Sequence, residues 1–379
     1  MKNIICIAAI LSLLITESCK KNLPEISPAA GILNPPPSPP NNTSCNGYWI
    51  CLPSSLFSSV NYSSTQSNEF ASFGAAAATP DRIFFAGGHE ENYGNISSVV
   101  NIFNTLSNSW DELHLSTPRS HLAAATADQK VLFAGGSNKD LTGYGNTQEY
   151  DVVDIFDDVT LQQTKAYLSE ARSDMATMSI GNKAYFIGGK TAQGFSRKID
   201  VYDAVTNNWQ VMDLPRERAF CGAVIMGNKI YIAGGVNNNG NLDIIDIYDI
   251  ITGTWSVMQM LNSHQHASVI SLNSKIFIAG GAVVDIYNTI TDSWTVATLS
   301  IARYDMAVAS ANNKIIFMGG DYQPNVDVYD DNTGSWSKTL LNQGVSGVMT
   351  ACVQGKCFFS GFLYDEGTSL TNTVIIISP

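Results

Sequence analysis

The sequence predicts an all-β chain: seven copies of one four-stranded unit, closed into a ring. Three observations carry that expectation. Gly-Gly doublets, each ending an apolar run such as IFFAGG or IYIAGG, recur at Gly87-Gly88, Gly135-Gly136, Gly188-Gly189, Gly234-Gly235, Gly280-Gly281 and Gly319-Gly320. A weaker seventh copy, CFFSGF, places Ser360-Gly361 in the doublet slot, and the intervals run 48, 53, 46, 46, 39 and 41 residues. Self-similarity at such a period marks a repeat architecture. Second, an alternating segment after each doublet ends in an aromatic, with Trp seven residues on in five copies: Phe103/Trp110, Tyr202/Trp209, Tyr248/Trp255, Tyr287/Trp294 and Tyr329/Trp336. Third, each copy holds about four short segments of period-two alternation separated by turn pairs such as Gly181-Asn182 and Gly227-Asn228, the pattern of half-buried strands joined by hairpins.

In chain order, residues 1–18 read as a signal peptide. Lys2 supplies a minimal positive start, and Ile4 to Ile15 is an apolar run of twelve residues, too short to cross a bilayer as a helix. Ser18-Cys19 then resembles a bacterial lipoprotein signal, which implies a diacylated Cys19 at the mature N-terminus; Thr16 and Glu17 depart from that pattern, and an ordinary secretory signal is the alternative. The resemblance implies a lipid-anchored protein of the bacterial cell envelope, at the outer membrane or cell surface. Residues 19–44 read as a tether, because Pro35, Pro36, Pro37, Pro39 and Pro40 favour polyproline II over a packed core.

Residues 45–379 carry the repeats. An apolar strand ending in Gly-Gly, a variable loop, a V-D-x-Y strand and a Trp resemble the kelch repeat. The resemblance implies a seven-bladed β-propeller whose blades each have four antiparallel strands, a to d. The seventh copy supplies strands a and b in VMTACVQGKCFFSG and strand c in TNTVIIIS, then the chain ends. The N-terminal segment GYWICLPS, with Trp49, is expected to fill the missing d position and remove the open edge of the last blade.

Composition narrows the function. The formal net charge is −12, which disfavours nucleic acid and anionic surfaces. Sixteen residues before each doublet lies a marker: Arg119, Arg172, Arg218, His264, Arg303 and Gly344 in copies two to seven, and Ala71 in the first. These begin strand a, on the face that also bears the b–c loops. One reading is a ring of Arg forks for carboxylate or phosphate, as in acidic sugars or peptides; the other is structural, with Asp174 and Asp305 neutralising Arg172 and Arg303. The loops HEENYGNIS, SNKDLTGYGNTQEYD, KTAQGFSRK, VNNNGN and DYQPN are polar and vary in length, as binding loops on a rigid scaffold do.

The expected function is an envelope-anchored binding or adhesion module for a glycan or protein ligand, with no cofactor and no metal. The alternative is a carbohydrate-active enzyme, since the family includes sialic-acid mutarotases and copper-radical oxidases. His121, His264 and His266 offer imidazoles near the channel, without a convincing Tyr–Cys arrangement. Of the cysteines, Cys352 and Cys357 flank the turn Gln354-Gly355 and are placed to bridge across a non-hydrogen-bonded pair. Cys45 and Cys51 are candidates for a second, local disulfide, and Cys221 is expected to be a buried free thiol.

Overall fold

The computed structural model describes residues 57–61, 72–90, 95–139, 147–365, 368–370 and 373–377. Cys19, the tether, Trp49, Cys45, Cys51 and Ala71 lie outside them. Every regular element among the described residues is a β-strand, and every pairing is antiparallel.

One unit shows how the sequence makes the others. In the third copy, strands Ala176–Ile180, Lys183–Ile187, Lys198–Asp203 and Asn208–Asp213 lie side by side in chain order. The b strand is apolar on both faces because it is covered on both, and its last four residues are buried. The d strand is outermost and largely exposed. The fixed spacing from Tyr to Trp comes from the c–d turn. Tyr202 and Trp209 are cross-strand partners with ring centroids 5.2 Å apart. Between them the Asp203 carboxylate accepts the backbone N–H groups of Val205 and Thr206 at 3.0 and 3.2 Å. Asn104, Asp157, Asp249 and Asn288 accept two N–H groups in the same way in other copies. Such side-chain turns fix the loop length.

The doublets are explained by close approach. Gly188 has φ +61°, and a Cβ there would lie 2.4 Å from the Arg218 carbonyl oxygen, while the Gly189 N–H donates to that same oxygen at 2.8 Å. The two glycines thus let one unit touch the first strand of the next.

Two copies run together where loops are short. In the fifth, Lys275–Asn288 spans both the b and c positions. Ser335–Val353 serves as d in the sixth copy and a in the seventh, so these copies share one eight-stranded sheet. The outer neighbour of Thr373–Ile377 in that sheet is Phe57–Asn61, with Phe57 opposite Ile377. The expectation for GYWICLPS is thereby corrected: the strand in the d position begins beyond that segment, which lies outside the described residues.

The cross-strand register also corrects the seventh doublet. Val353 faces Lys356 as Ile180 faces Lys183, so Gly361-Phe362, not Ser360-Gly361, occupies the doublet slot. The marker moves with it from Gly344 to Val345. The Val345 carbonyl accepts the Gly320 N–H at 3.0 Å, as the Arg218 carbonyl accepts that of Gly189.

Cores form between neighbouring copies. Phe133 and Phe156 of the second copy pack with Phe84, Val100 and Ile102 of the first. Ile83, Phe85 and Phe103 of the first copy share a cluster with Met349, Phe358, Val374 and Ile376 of the last. Cys352 and Cys357 are joined by a disulfide with Cα atoms 4.0 Å apart, and Cys221 is a buried free thiol.

Candidate functional site

The marker residues begin the a strands, but their side chains turn inward. Arg119, Arg172, Arg218 and Arg303 are each 0 % exposed and His264 is 1 % exposed. Each meets an Asp from the c strand of its own copy. Arg119 bonds Asp154 at 2.8 Å, Arg303 bonds Asp327 at 2.7 Å, His264 lies 3.3 Å from Asp285, and Arg172 and Arg218 pair with Asp200 and Asp246. Other terminal guanidinium N–H groups go to main-chain carbonyls, among them Phe133 for Arg119, Gly188 and Lys198 for Arg172, Gly234 for Arg218 and Phe317 for Arg303, while the Nε of each of the four is buried without a hydrogen-bond partner. Burial pushes the pKa of Arg119 and Arg172 below the usual guanidinium value, and their Asp partners oppose that shift.

The carboxylates also hold the chain entering the blade. Asp200 accepts from Ser169 N and Oγ, both at 3.0 Å, and Asp327 accepts from Ser300 N and Oγ at 3.0 and 2.9 Å. This arrangement staples three segments together. It leaves no free guanidinium fork, so these five residues support the mouth without lining it. The partners are not Asp174 and Asp305, as the sequence suggested. A signal was available: an Asp stands two residues before the c-strand aromatic in each copy with a basic marker. The copies with Ala71 and Val345 carry Asn101 and Ile375 there.

The residues that do face the channel stand two positions further on. They are Phe73, His121, Asp174, Phe220, His266, Asp305 and Gly347, and all seven have φ between 49° and 59°. A left-handed backbone is uncommon for His and Asp and costly for Phe. In the first four it is held by a run of main-chain bonds. Phe73 N–H donates to Gly347 O at 3.0 Å, His121 to Phe73 at 2.7 Å, Asp174 to His121 at 3.1 Å and Phe220 to Asp174 at 3.2 Å. The next link moves one residue on, with Ala267 N–H donating to Phe220 O at 2.9 Å. Beyond it a side-chain bond follows, His266 Nδ1 to Asp305 Oδ1 at 2.6 Å.

These positions line a cavity of about 690 Å³, to which Lys139 and Cys221 also contribute. Phe73 stacks on His121 at 5.2 Å and Phe220 on His266 at 4.2 Å. Burial raises the Asp174 carboxyl to about 6, against the Ser173 hydroxyl and the Lys139 and Lys190 charges. Burial lowers His121 to about 4, helped by Lys139. The Asp305 hydrogen bond raises His266. His264 does not join the other imidazoles, and no three His, Cys, Asp or Glu side chains among the described residues are grouped to hold a metal.

Comparison with known proteins fits this geometry. The KLHDC2/KLHL20/DRC7 Kelch-repeats domain profile matches residues 73–281 and 160–320. No curated protein matches the sequence. A solved structure described as "Structure of YjhT" superposes with a TM-score of 0.53 at 15% identity, covering 82% of this chain and 95% of that one. Doublets, V-D-x-Y strands and the profile match over most of the repeats agree: the chain belongs to the kelch-repeat family of β-propellers.

Proposed function

We propose that this protein is a binding module whose ligand, a glycan or a protein segment, docks in the channel mouth on the face of the b–c loops. One observation carries the reading. Seven equivalent positions share one backbone conformation while presenting Phe, His, Asp or Gly to a single cavity. A uniform scaffold with dissimilar side chains is how a rigid fold carries recognition. We further infer a seven-bladed ring, supported by the Phe73–Gly347 main-chain bond and by the apolar cluster common to the first and last copies. The Ser18-Cys19 pair supports anchoring of this ring to a bacterial envelope by lipid.

The test is a glycan and peptide array probed with the soluble protein, followed by competition with His121→Asn and Asp305→Asn variants. A ligand that loses affinity in both supports the reading; a ligand indifferent to both places the site elsewhere. For the anchor, labelled fatty acid is expected to enter the wild type and not Cys19→Ser, and equal labelling of the two refutes lipidation. The enzymatic alternative draws on the presence in one cavity of Asp174, its carboxyl raised to about 6 by burial, and His121, lowered to about 4, groups of the kind that transfer protons. Turnover of a bound saccharide, abolished in Asp174→Asn, would select it.

A further inference from the structure

Read around the mouth, the seven positions are Phe73, His121, Asp174, then Phe220, His266, Asp305, then Gly347. The same three residue types occur twice in the same order, three copies apart. In each triplet the Phe ring stacks on the imidazole, with planes 14° apart in the first and 24° in the second. Each carboxylate follows in the next copy. In the second triplet it is closed onto the imidazole at 2.6 Å. In the first, His121 Nδ1 meets Ser120 Oγ at 3.0 Å and Asp174 accepts from Ser173 Oγ at 3.0 Å, so imidazole and carboxylate are not joined to each other.

We propose that these triplets are two copies of one saccharide subsite and that the ligand of the mouth is a neutral saccharide; this rests on the binding reading above.

The chemistry selects that class. An apolar slab beside a carboxylate suits a pyranose, whose C–H face packs on an aromatic ring while its hydroxyls donate to the acid. The marker guanidinium groups are consumed by Asp, so no fork remains for an acidic sugar. Among the lining residues Lys139 and His266 stand against Asp174 and Asp305, a near balance of charge that favours neither an anion nor a cation. The cavity volume of about 690 Å³ falls within the range of small-molecule sites. The strained Phe73 and Phe220, at φ 55° and 54°, point the same way, because such strain gathers at ligand sites. The first triplet, with its carboxyl not taken up by an imidazole, is the stronger subsite.

Titration calorimetry of the purified protein tests this with lactose, cellobiose and chitobiose as neutral probes. Sialyllactose and digalacturonate serve as acidic probes, and the chitosan disaccharide as a cationic one. A neutral probe is expected to bind best, and Asp174→Asn to weaken it about tenfold, the loss of one charge-assisted hydrogen bond. Asp305→Asn is expected to weaken it less. Asn tolerates the left-handed backbone, and an unchanged circular dichroism spectrum with a single cooperative melt verifies the fold. Preference for a charged probe, no binding of any probe at millimolar concentration, or affinity untouched by both substitutions overturns the proposal. If sugars fail while an array peptide binds and is displaced by the mouth variants, the saccharide inference falls and the binding reading stands. If neither binds, both fall.

Discussion

The marker residues and the mouth residues are two positions apart on the same strand starts, yet they behave oppositely. In five copies the first set is Arg or His, buried and paired with Asp, as Arg172 is with Asp200 and Arg303 with Asp327. The second set is varied and faces the channel, with Asp174 and Asp305 in the positions that follow. Side-chain uniformity across copies therefore tracks what a residue must hold, and variation tracks what it presents. In a repeat protein this inverts the first intuition that a regular ring of charges is a recognition surface.

Four experiments strain that contrast, from the largest expected effect downward. Arg172→Ala leaves Asp200 buried without its cation and is predicted to cost about 3–5 kcal/mol in urea unfolding. Arg172→Met with Asp200→Leu should recover much of that, though not the part due to Ser169, which also bonds Asp200. A loss below about 1 kcal/mol for Arg172→Ala, the scale of an exposed pair, would show that the buried ring is not the scaffold.

Next is the last copy, which has Val345 and Ile375 where four others have Arg and Asp. It carries the Cys352–Cys357 bridge instead. Replacing both cysteines by Ser is expected to cost about 2 kcal/mol for so short a loop, and mass mapping of the unreduced, denatured protein should find Cys221 alkylated and Cys352 protected. Free Cys352 under those conditions would remove the bridge from the comparison.

The mouth should show itself through pH. The Asp174 carboxyl is held up to about 6 by burial, whereas an unfolded Asp ionises near 4. Between those values unfolding releases a proton, so stability falls as pH rises through that window. The difference between wild type and Asp174→Asn should follow the same window and be flat above about pH 7; a flat difference throughout would mean that Asp174 is water-facing. The smallest effect is that of His266, raised by its bond to Asp305. Its contribution is expected in full below about 6.5 and to fade as pH rises through the folded value. Asp305→Asn should erase that dependence in thermal melts, and its persistence would assign it to another group.

The repeats were legible because two spacings are enforced locally. Gly-Gly answers a carbonyl approaching from the next unit, and Tyr-to-Trp answers an Asx turn of fixed length. The Arg–Asp pairing was legible only in part, since the partners lie on different strands and their shared absence had to be compared across copies. Asp174 and Asp305 drew attention by being near Arg in sequence, yet a left-handed residue between strand starts turns its side chain elsewhere. The mouth residues were missed as a set because nothing in Phe, His, Asp and Gly announces a common backbone. Their equivalence shows only in the shared positive φ and in the main-chain bonds that join five of them across copies, which are tertiary features. The seventh copy was misread by one position because Ser360 mimics the small residue of a doublet, and the register at Lys356 settles it.

The pairing of Phe57–Asn61 with Thr373–Ile377 has a kinetic consequence. The earliest described strand to leave the ribosome finds its neighbour in the last, so it must wait, unpaired, while the rest of the chain is made. Loop closure over that separation is slow, and an unpaired edge is where strands of different molecules meet. The sheet gains its outermost member only once Thr373–Ile377 has been made. Loss of Thr373–Ile377 would therefore be felt more than 300 residues earlier, at Phe57–Asn61, as a strand deprived of its neighbour.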